Sequence, residues 1–262
     1  KVMLGNDNNY LALGEVELSG NRAFASEYTR IGQQEFITFH TINVNGTNTF
    51  TDAQLLDNGD YLLSGSFNTA SQSISSSFFT AVLNPNGVLG VVNNNFVEGM
   101  TSLGRQLFRT KENTYIYLLS AIDENAQDTR SRVYHLNSSG DVLDVDFLDL
   151  AVFNFGTAKS LLQNQDGSFL GLMKTDNEIP DFLATGLFGN ISQTPNTYTV
   201  PNYTYFFTLN DIGGVQSKSY FYRNYSNYFN VIIRLSNGKI LIYGALQSLG
   251  EEVKLAYLIR ES

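Results

Sequence analysis

The sequence predicts an all-β chain of five tandem copies of a unit of about fifty residues, closing into a five-bladed β-propeller with four strands per blade. Three observations predict it. Turn signals recur in phase, two to a copy; the apolar runs between them are near-continuous instead of alternating; and helical periodicity is scarce. A six-bladed or irregular ring is the alternative arrangement of the same units.

The first copy, about residues 1–52, is the most degraded, with Asn6-Asp7-Asn8-Asn9 before Tyr10-Leu11-Ala12-Leu13-Gly14 and a second turn read at Asn43-Val44-Asn45-Gly46. The second, 53–99, is the clearest. Leu55-Leu56-Asp57-Asn58-Gly59-Asp60 leads into Tyr61-Leu62-Leu63-Ser64-Gly65, and Phe79-Thr80-Ala81-Val82-Leu83 into Asn84-Pro85-Asn86-Gly87. Apolar runs flanking an Asn-Gly are a hairpin signal. The third copy, 100–155, lacks its first turn glycine and reads Lys111-Glu112-Asn113-Thr114, with a second turn at Asn137-Ser138-Ser139-Gly140. The fourth, 156–226, turns at Asn164-Gln165-Asp166-Gly167 and is swollen by an insertion from Asp176 to Asn202. The fifth, 227–262, repeats the second as Leu235-Ser236-Asn237-Gly238-Lys239-Ile240-Leu241-Ile242-Tyr243-Gly244.

Two hairpins make four strands, the content of a propeller blade. The runs at 78–83, 115–119 and 240–243 read as strands covered on both faces, as blades packed between neighbours are. The segment Glu251–Arg260 has some amphipathic helical character, but its place in the repeat assigns Leu255 to Ile259 to a strand. The last copy ends after a third strand and the chain starts on a hairpin, so a blade shared by the two ends is the expected closure. All 262 residues are then one propeller domain.

The stretch Gly238-Lys239-Ile240-Leu241-Ile242-Tyr243-Gly244 together with Asn84-Pro85-Asn86-Gly87-Val88-Leu89 resembles the delta-sixty class of bacterial repeats. The resemblance covers all five copies loosely and the second and fifth well. It implies a β-propeller of large surface or secreted proteins, and it brings no catalytic residues to carry over.

Composition narrows the chemistry. Without cysteine there is no disulfide, thiolate metal site, thiol nucleophile or iron–sulfur cluster. A net charge of −9 with no concentration of Lys or Arg argues against nucleic acid as a partner and against adsorption to an anionic membrane. No apolar run approaches the ~20 residues of a membrane-crossing helix. The chain opens at Lys1 without a leader, so a targeting segment is expected to have been removed, and a lipid anchor upstream of Lys1 fits that reading. Loops rich in Asn, Ser, Thr and Gly point to an extracytoplasmic bacterial protein: periplasmic, cell-surface or secreted.

Candidate site residues are few. His40 and His135 stand before turns and are read as structural. No Gly-x-Ser-x-Gly elbow is present. Asp52 and Glu98 are the acids placed near inner strands, around the central tunnel where a glycoside hydrolase would hold them. Asp57 and Asp60 read as turn formers. The acidic stretches 123–128 and 144–149 lack the glycine and distal glutamate of a calcium loop. Arg105 and Lys159 align with each other, opposite Ala53 and Ile232, as a pair that can hold an anion or pair with acids. Tyr198, Tyr203 and Tyr205 lie in or beside the insertion, whose long loop suits recognition of a protein or glycan. No catalytic residue, metal or cofactor is assigned. The leading reading is a recognition or scaffold propeller; a glycoside hydrolase or lyase with carboxylates at a central channel is the alternative.

Overall fold

A computed structural model describes residues 1–17, 20–41, 46–67, 77–96, 101–123, 128–148, 157–174, 204–221, 226–247 and 254–260. The first sheet is β1 (Val2–Leu4), β2 (Tyr10–Glu17), β3 (Asn21–Tyr28) and β4 (Gln34–His40). The second is β5 (Asn48–Leu55), β6 (Tyr61–Phe67), β7 (Ser77–Leu83) and β8 (Leu89–Phe96). The third is β9 (Thr101–Arg109), β10 (Tyr115–Asp123), β11 (Asp128–Leu136) and β12 (Val142–Phe147). The fourth is β13 (Thr157–Gln163), β14 (Phe169–Lys174), β15 (Thr204–Leu209) and β16 (Val215–Phe221). The last holds β17 (Ser226–Arg234), β18 (Ile240–Gln247) and β19 (Lys254–Arg260). Within each sheet the strands lie in chain order. The chain is therefore all-β, with one short 3₁₀ turn at Asn6–Asn8 as the helix among the described residues.

The turn chemistry explains the repeat. Eight hairpins share one construction: the first residue donates its N–H to the fifth carbonyl, and its carbonyl accepts from the fourth N–H, as in Leu56–Asp60, Asn84–Val88 and Leu235–Lys239. This is a type I turn followed by a left-handed residue. The fourth residue has φ between 59° and 96° in all eight, and it is glycine in seven. In the third copy that place is held by Asn113 at φ 59°, a residue type that tolerates the left-handed region, so the missing glycine does not cost the turn. The turn asparagines and aspartate have two jobs. In first turns the third residue accepts from the fifth N–H (Asn58, Asp166, Asn237); in second turns the first residue accepts from the third and fifth (Asn84, Asn137, Asn210).

The first copy departs from the reading above. Its second turn is Thr29–Gln33, where Thr29 Oγ1 takes the asparagine's role by accepting from the Gln33 N–H at 3.0 Å. Residues 42–45 lie outside the described residues. The shared blade expected at closure is also not what the pairing gives: the first sheet has its own β1, and the last is β17–β19. The segment 254–260 is a strand, as its phase required.

Contacts divide the chain into two compact units, Lys1–Asp128 with Arg132–Phe147, and Thr129–Ser131 with Leu148–Ser262. In the first, the second sheet is covered on both faces. Tyr61, Leu63, Phe79 and Ala81 bury themselves with Leu11, Leu13, Ala23 and Ala25 of the first sheet. Their neighbours of opposite parity, Leu62 and Phe78, bury themselves with Leu107, Tyr117, Leu119 and Tyr134 of the third. Successive strand residues point to opposite faces, so a strand covered twice reads as a continuous apolar run. In the second unit, Leu170, Leu172, Phe229, Ile232, Ile240 and Ile242 make the corresponding core between the fourth and fifth sheets.

One irregularity recurs. In β5, β9, β13 and β17 the register slips by one residue, leaving Thr51, Arg105, Lys159 and Asn230 as the extra residue of a bulge, each five positions before its turn. Arg105 and Lys159 thus hold the same place in their own sheets. Their counterparts are Thr51 and Asn230, not Ala53 and Ile232, because position in the ladder is fixed by distance from the turn start.

Candidate functional site

In the first unit the hairpin ends of the second and third sheets border a groove of about 620 Å³. Leu56, Asp57, Asn58 and Asp60 come from the first turn of the second sheet, and Val82, Gly90 and Val91 from β7 and β8. The third sheet supplies Asn113, Tyr115, Ser138 and Ser139. The volume lies within the roughly 300–1,000 Å³ of small-molecule sites. Two of the lining residues, Asp57 and Asn113, are tied together by Arg109, which does not itself line the groove. Its guanidinium forks onto Asp57 at 2.7 and 2.5 Å and also donates from Nε and Nη2 to Asn113 Oδ1 at 3.1 and 2.7 Å. The hydrogen bond from Arg109 holds the Asp57 carboxyl below its usual range, and burial pushes the Tyr115 phenol up. Asn58 and Asp60 bond each other through Nδ2 and Oδ2 at 2.7 Å.

The carboxylates most removed from water do other work. Asp52, 2% exposed, accepts from the N–H of Ala53 at 2.8 Å and of Leu107 at 2.9 Å, and it is ion-paired with the Lys1 ammonium. Gln54 Nε2 donates to the Leu107 carbonyl at 2.7 Å. Side chains of β5 therefore satisfy both peptide groups that Leu107 turns away from its own sheet, since β9 is an edge strand. In the second unit Ser160 Oγ stands in the same relation to the Ile232 N–H, at a long 3.5 Å. Glu27, 3% exposed, accepts from the Tyr61 hydroxyl at 2.9 Å, and that oxygen accepts from the Asn6 N–H at 2.6 Å. Burial, first, and Glu27 beside it raise the Tyr61 phenol well above its ordinary range.

The residues singled out from sequence are placed unevenly. Arg105 is in β9, Lys159 in β13 and Tyr205 in β15, but their side chains lie outside what the structure describes; Tyr198, Tyr203, Glu98 and the insertion lie outside the described residues altogether. Asp57 and Asp60 are turn residues that also line the groove. His135 Nε2 lies 3.2 Å from Asp146 Oδ2. Among the described residues, no group of three His, Asp or Glu side chains is arranged to hold a metal ion. The groove itself went unread because its polar lining is turn residues. The available signal was Ser138-Ser139, two free hydroxyl side chains where the corresponding turns carry Pro85-Asn86 and Asp211-Ile212.

Similar folds are found among solved structures. A polysaccharide lyase of family PL25, an ulvan lyase, superposes with a TM-score of 0.60 at 8% identity over 100% of this chain and 64% of its own. The same lyase has been solved with -[GlcA(1-4)Rha3S]- bound. An endo-arabinase from Bacteroides thetaiotaomicron VPI-5482 matches with a TM-score of 0.51 at 13% identity, over 100% of this chain and 92% of its own. A GH43 β-1,3-galactosidase matches with a TM-score of 0.51 at 11% identity, over 99% and 55%. This chain spans just under two thirds of the lyase's length. No protein-family model matches the sequence, and no curated protein matches it. At these identities the likeness is one of fold: an all-β, propeller-like arrangement of antiparallel sheets.

His40, at the end of β4, packs its ring 5.7 Å from that of Phe79, and its Nε2 is buried without a hydrogen-bond partner. Burial lowers its pKa, so the folded chain keeps the ring neutral at pH values where the unfolded chain protonates it. Below the unfolded pKa of about 6.5 the unfolded state therefore binds more protons, and stability falls with pH by at most about 1.4 kcal/mol per unit. Urea midpoints between pH 7 and pH 5 should decline, and His40→Gln should flatten that decline. An unchanged slope in the variant would remove His40 as the cause.

Proposed function

We propose that the chain is a non-enzymatic, glycan-recognising propeller of the bacterial envelope or exterior, its five sheets serving as the five blades of one ring. One observation carries the non-enzymatic reading: Asp52, of the two candidate acids the one within the described residues, is engaged by two backbone amides and an ammonium. A general acid or nucleophile requires a carboxyl facing the scissile bond. The glycan half of the reading is supported by likeness of fold to proteins that act on polysaccharides, an analogy at the level of fold. Arg105 and Lys159, at matching bulges, and Tyr198, Tyr203 and Tyr205 of the fourth copy are proposed as further contacts to the ligand.

The alternative is a glycoside hydrolase or lyase. Its support is that the same three fold relatives are all enzymes by description. A panel of neutral and acidic polysaccharides separates the two readings. Retarded migration in affinity gels with no new reducing ends and no unsaturated uronyl absorbance supports recognition. Depolymerisation of any polysaccharide in the panel overturns it in favour of the enzyme.

A further inference from the structure

We infer that the groove between the hairpin ends of the second and third sheets is a binding site for a neutral saccharide. The inference rests on the glycan-recognition reading and assigns it a place and a ligand class. Three features point there. First, the groove pairs apolar surface from Leu56, Val82 and Val91 with amide, carboxylate and hydroxyl groups, matching a sugar ring with its C–H faces and hydroxyl edges. Val91 is 55% exposed, so that apolar surface is open to a ligand.

Second, the polar lining keeps unused hydrogen-bonding capacity. Asn58 Nδ2 donates to Asp60 Oδ2 and leaves Asp60 Oδ1 without a protein partner. Arg109 takes Asn113 Oδ1, which fixes that amide and leaves its Nδ2 to donate. The backbone groups of Ser139 are bonded, by Asn137 to its N–H and by Asn93 to its carbonyl, while its hydroxyl and that of Ser138 are unengaged. A fixed acceptor, a fixed donor and two rotating hydroxyls suit an array of sugar hydroxyls, each of which both donates and accepts.

Third, the charge selects against acidic glycans. The charged groups lining the groove are Asp57, neutralised by Arg109, and Asp60, which has no cationic partner. A uronate or sulfate entering there meets a net negative wall with no lining Lys or Arg, in a chain of net charge −9. The ligand class thus differs from the sulfated, uronate-containing saccharide held by the lyase of similar fold.

The test is calorimetric titration of the purified chain with neutral and with uronate-containing or sulfated oligosaccharides, repeated at raised salt. Asp60→Ala removes the free acceptor, and Ser138→Trp fills the groove from the second position of an exposed turn. Asp211→Trp carries the same bulk at the matching turn position of the fourth sheet and does not line the groove. Thermal melts confirm that each variant is folded. Neutral ligands should bind with little salt dependence and lose at least about tenfold in affinity in the two groove variants, as expected for losing a hydrogen bond to a charged group, and not in the control. Glycan binding that both groove variants retain, or that prefers polyanions and fades with salt, overturns this site while leaving glycan recognition standing. No binding of any glycan by the native chain overturns both.

Discussion

Gly65→Ala should be among the most destabilising single-methyl changes in the first unit, lowering the melting temperature by roughly 10 °C for a loss of about 3 kcal/mol. Gly65 sits in the middle of β6, paired with Phe50 on one side and Phe79 on the other, so all three residues share a face. The two rings close over the missing side chain, with centroids 5.3 Å apart. A Cβ at Gly65 would lie 2.5 Å from both Cε1 of Phe79 and the carbonyl oxygen of Thr49, and closer still to Phe79 Cζ. The ring can turn, but the carbonyl belongs to the strand beside the Thr51 bulge and cannot move without disturbing the ladder. Gly90→Ala is the matched control: in β8 its Cβ would meet only the Val82 carbonyl at 3.6 Å, so its effect should stay within about 0.5 kcal/mol. Equal melting temperatures for the two variants would show that the Phe50–Phe79 contact opens freely.

Gly65 also shows what could be read in advance. It recurs as Gly14 and Gly244 at the same distance beyond the first turn, a regularity that is visible in the sequence although its reason, an aromatic ring on a neighbouring strand, is not. Turns were legible because their chemistry is local: an asparagine, two residues and a glycine carry the whole hydrogen-bond pattern. Where the local chemistry was substituted, by Thr29 for asparagine or Asn113 for glycine, the signal weakened although the turn survived. Coverage of the second sheet on both faces was likewise legible, because the strand pattern itself records it.

The groove was not legible, because it is assembled from hairpins of two sheets. Its residues are separately ordinary turn formers; only their convergence, with Arg109 holding Asp57 and Asn113 together, makes a site. The bulges were hidden for a related reason. An extra residue that recurs at the same place in four sheets leaves the spacing between copies unchanged, so comparing the repeats with one another does not reveal it.

Asp52 is where the two functional readings diverge most sharply in measurable terms. Asp52→Ala should cost about 3–5 kcal/mol, because it strips the partners from two buried backbone N–H groups and leaves the Lys1 ammonium without its counter-charge. Asp52→Asn keeps the shape and one acceptor oxygen for either Ala53 or Leu107, so its loss should be smaller, about 2 kcal/mol, and measurable as a lower urea midpoint. The carboxylate of a catalyst would behave in the opposite way. Active-site acids are held at a cost to stability, so the asparagine variant of a catalytic aspartate is commonly neutral or stabilising while activity disappears. For a structural Asp52 both variants lose stability in the order alanine, then asparagine, and glycan binding measured below the unfolding transition is retained by each. A stabilised Asp52→Asn would instead place this carboxylate in a reaction, and the link from β5 to Leu107 of β9 would then be incidental to it.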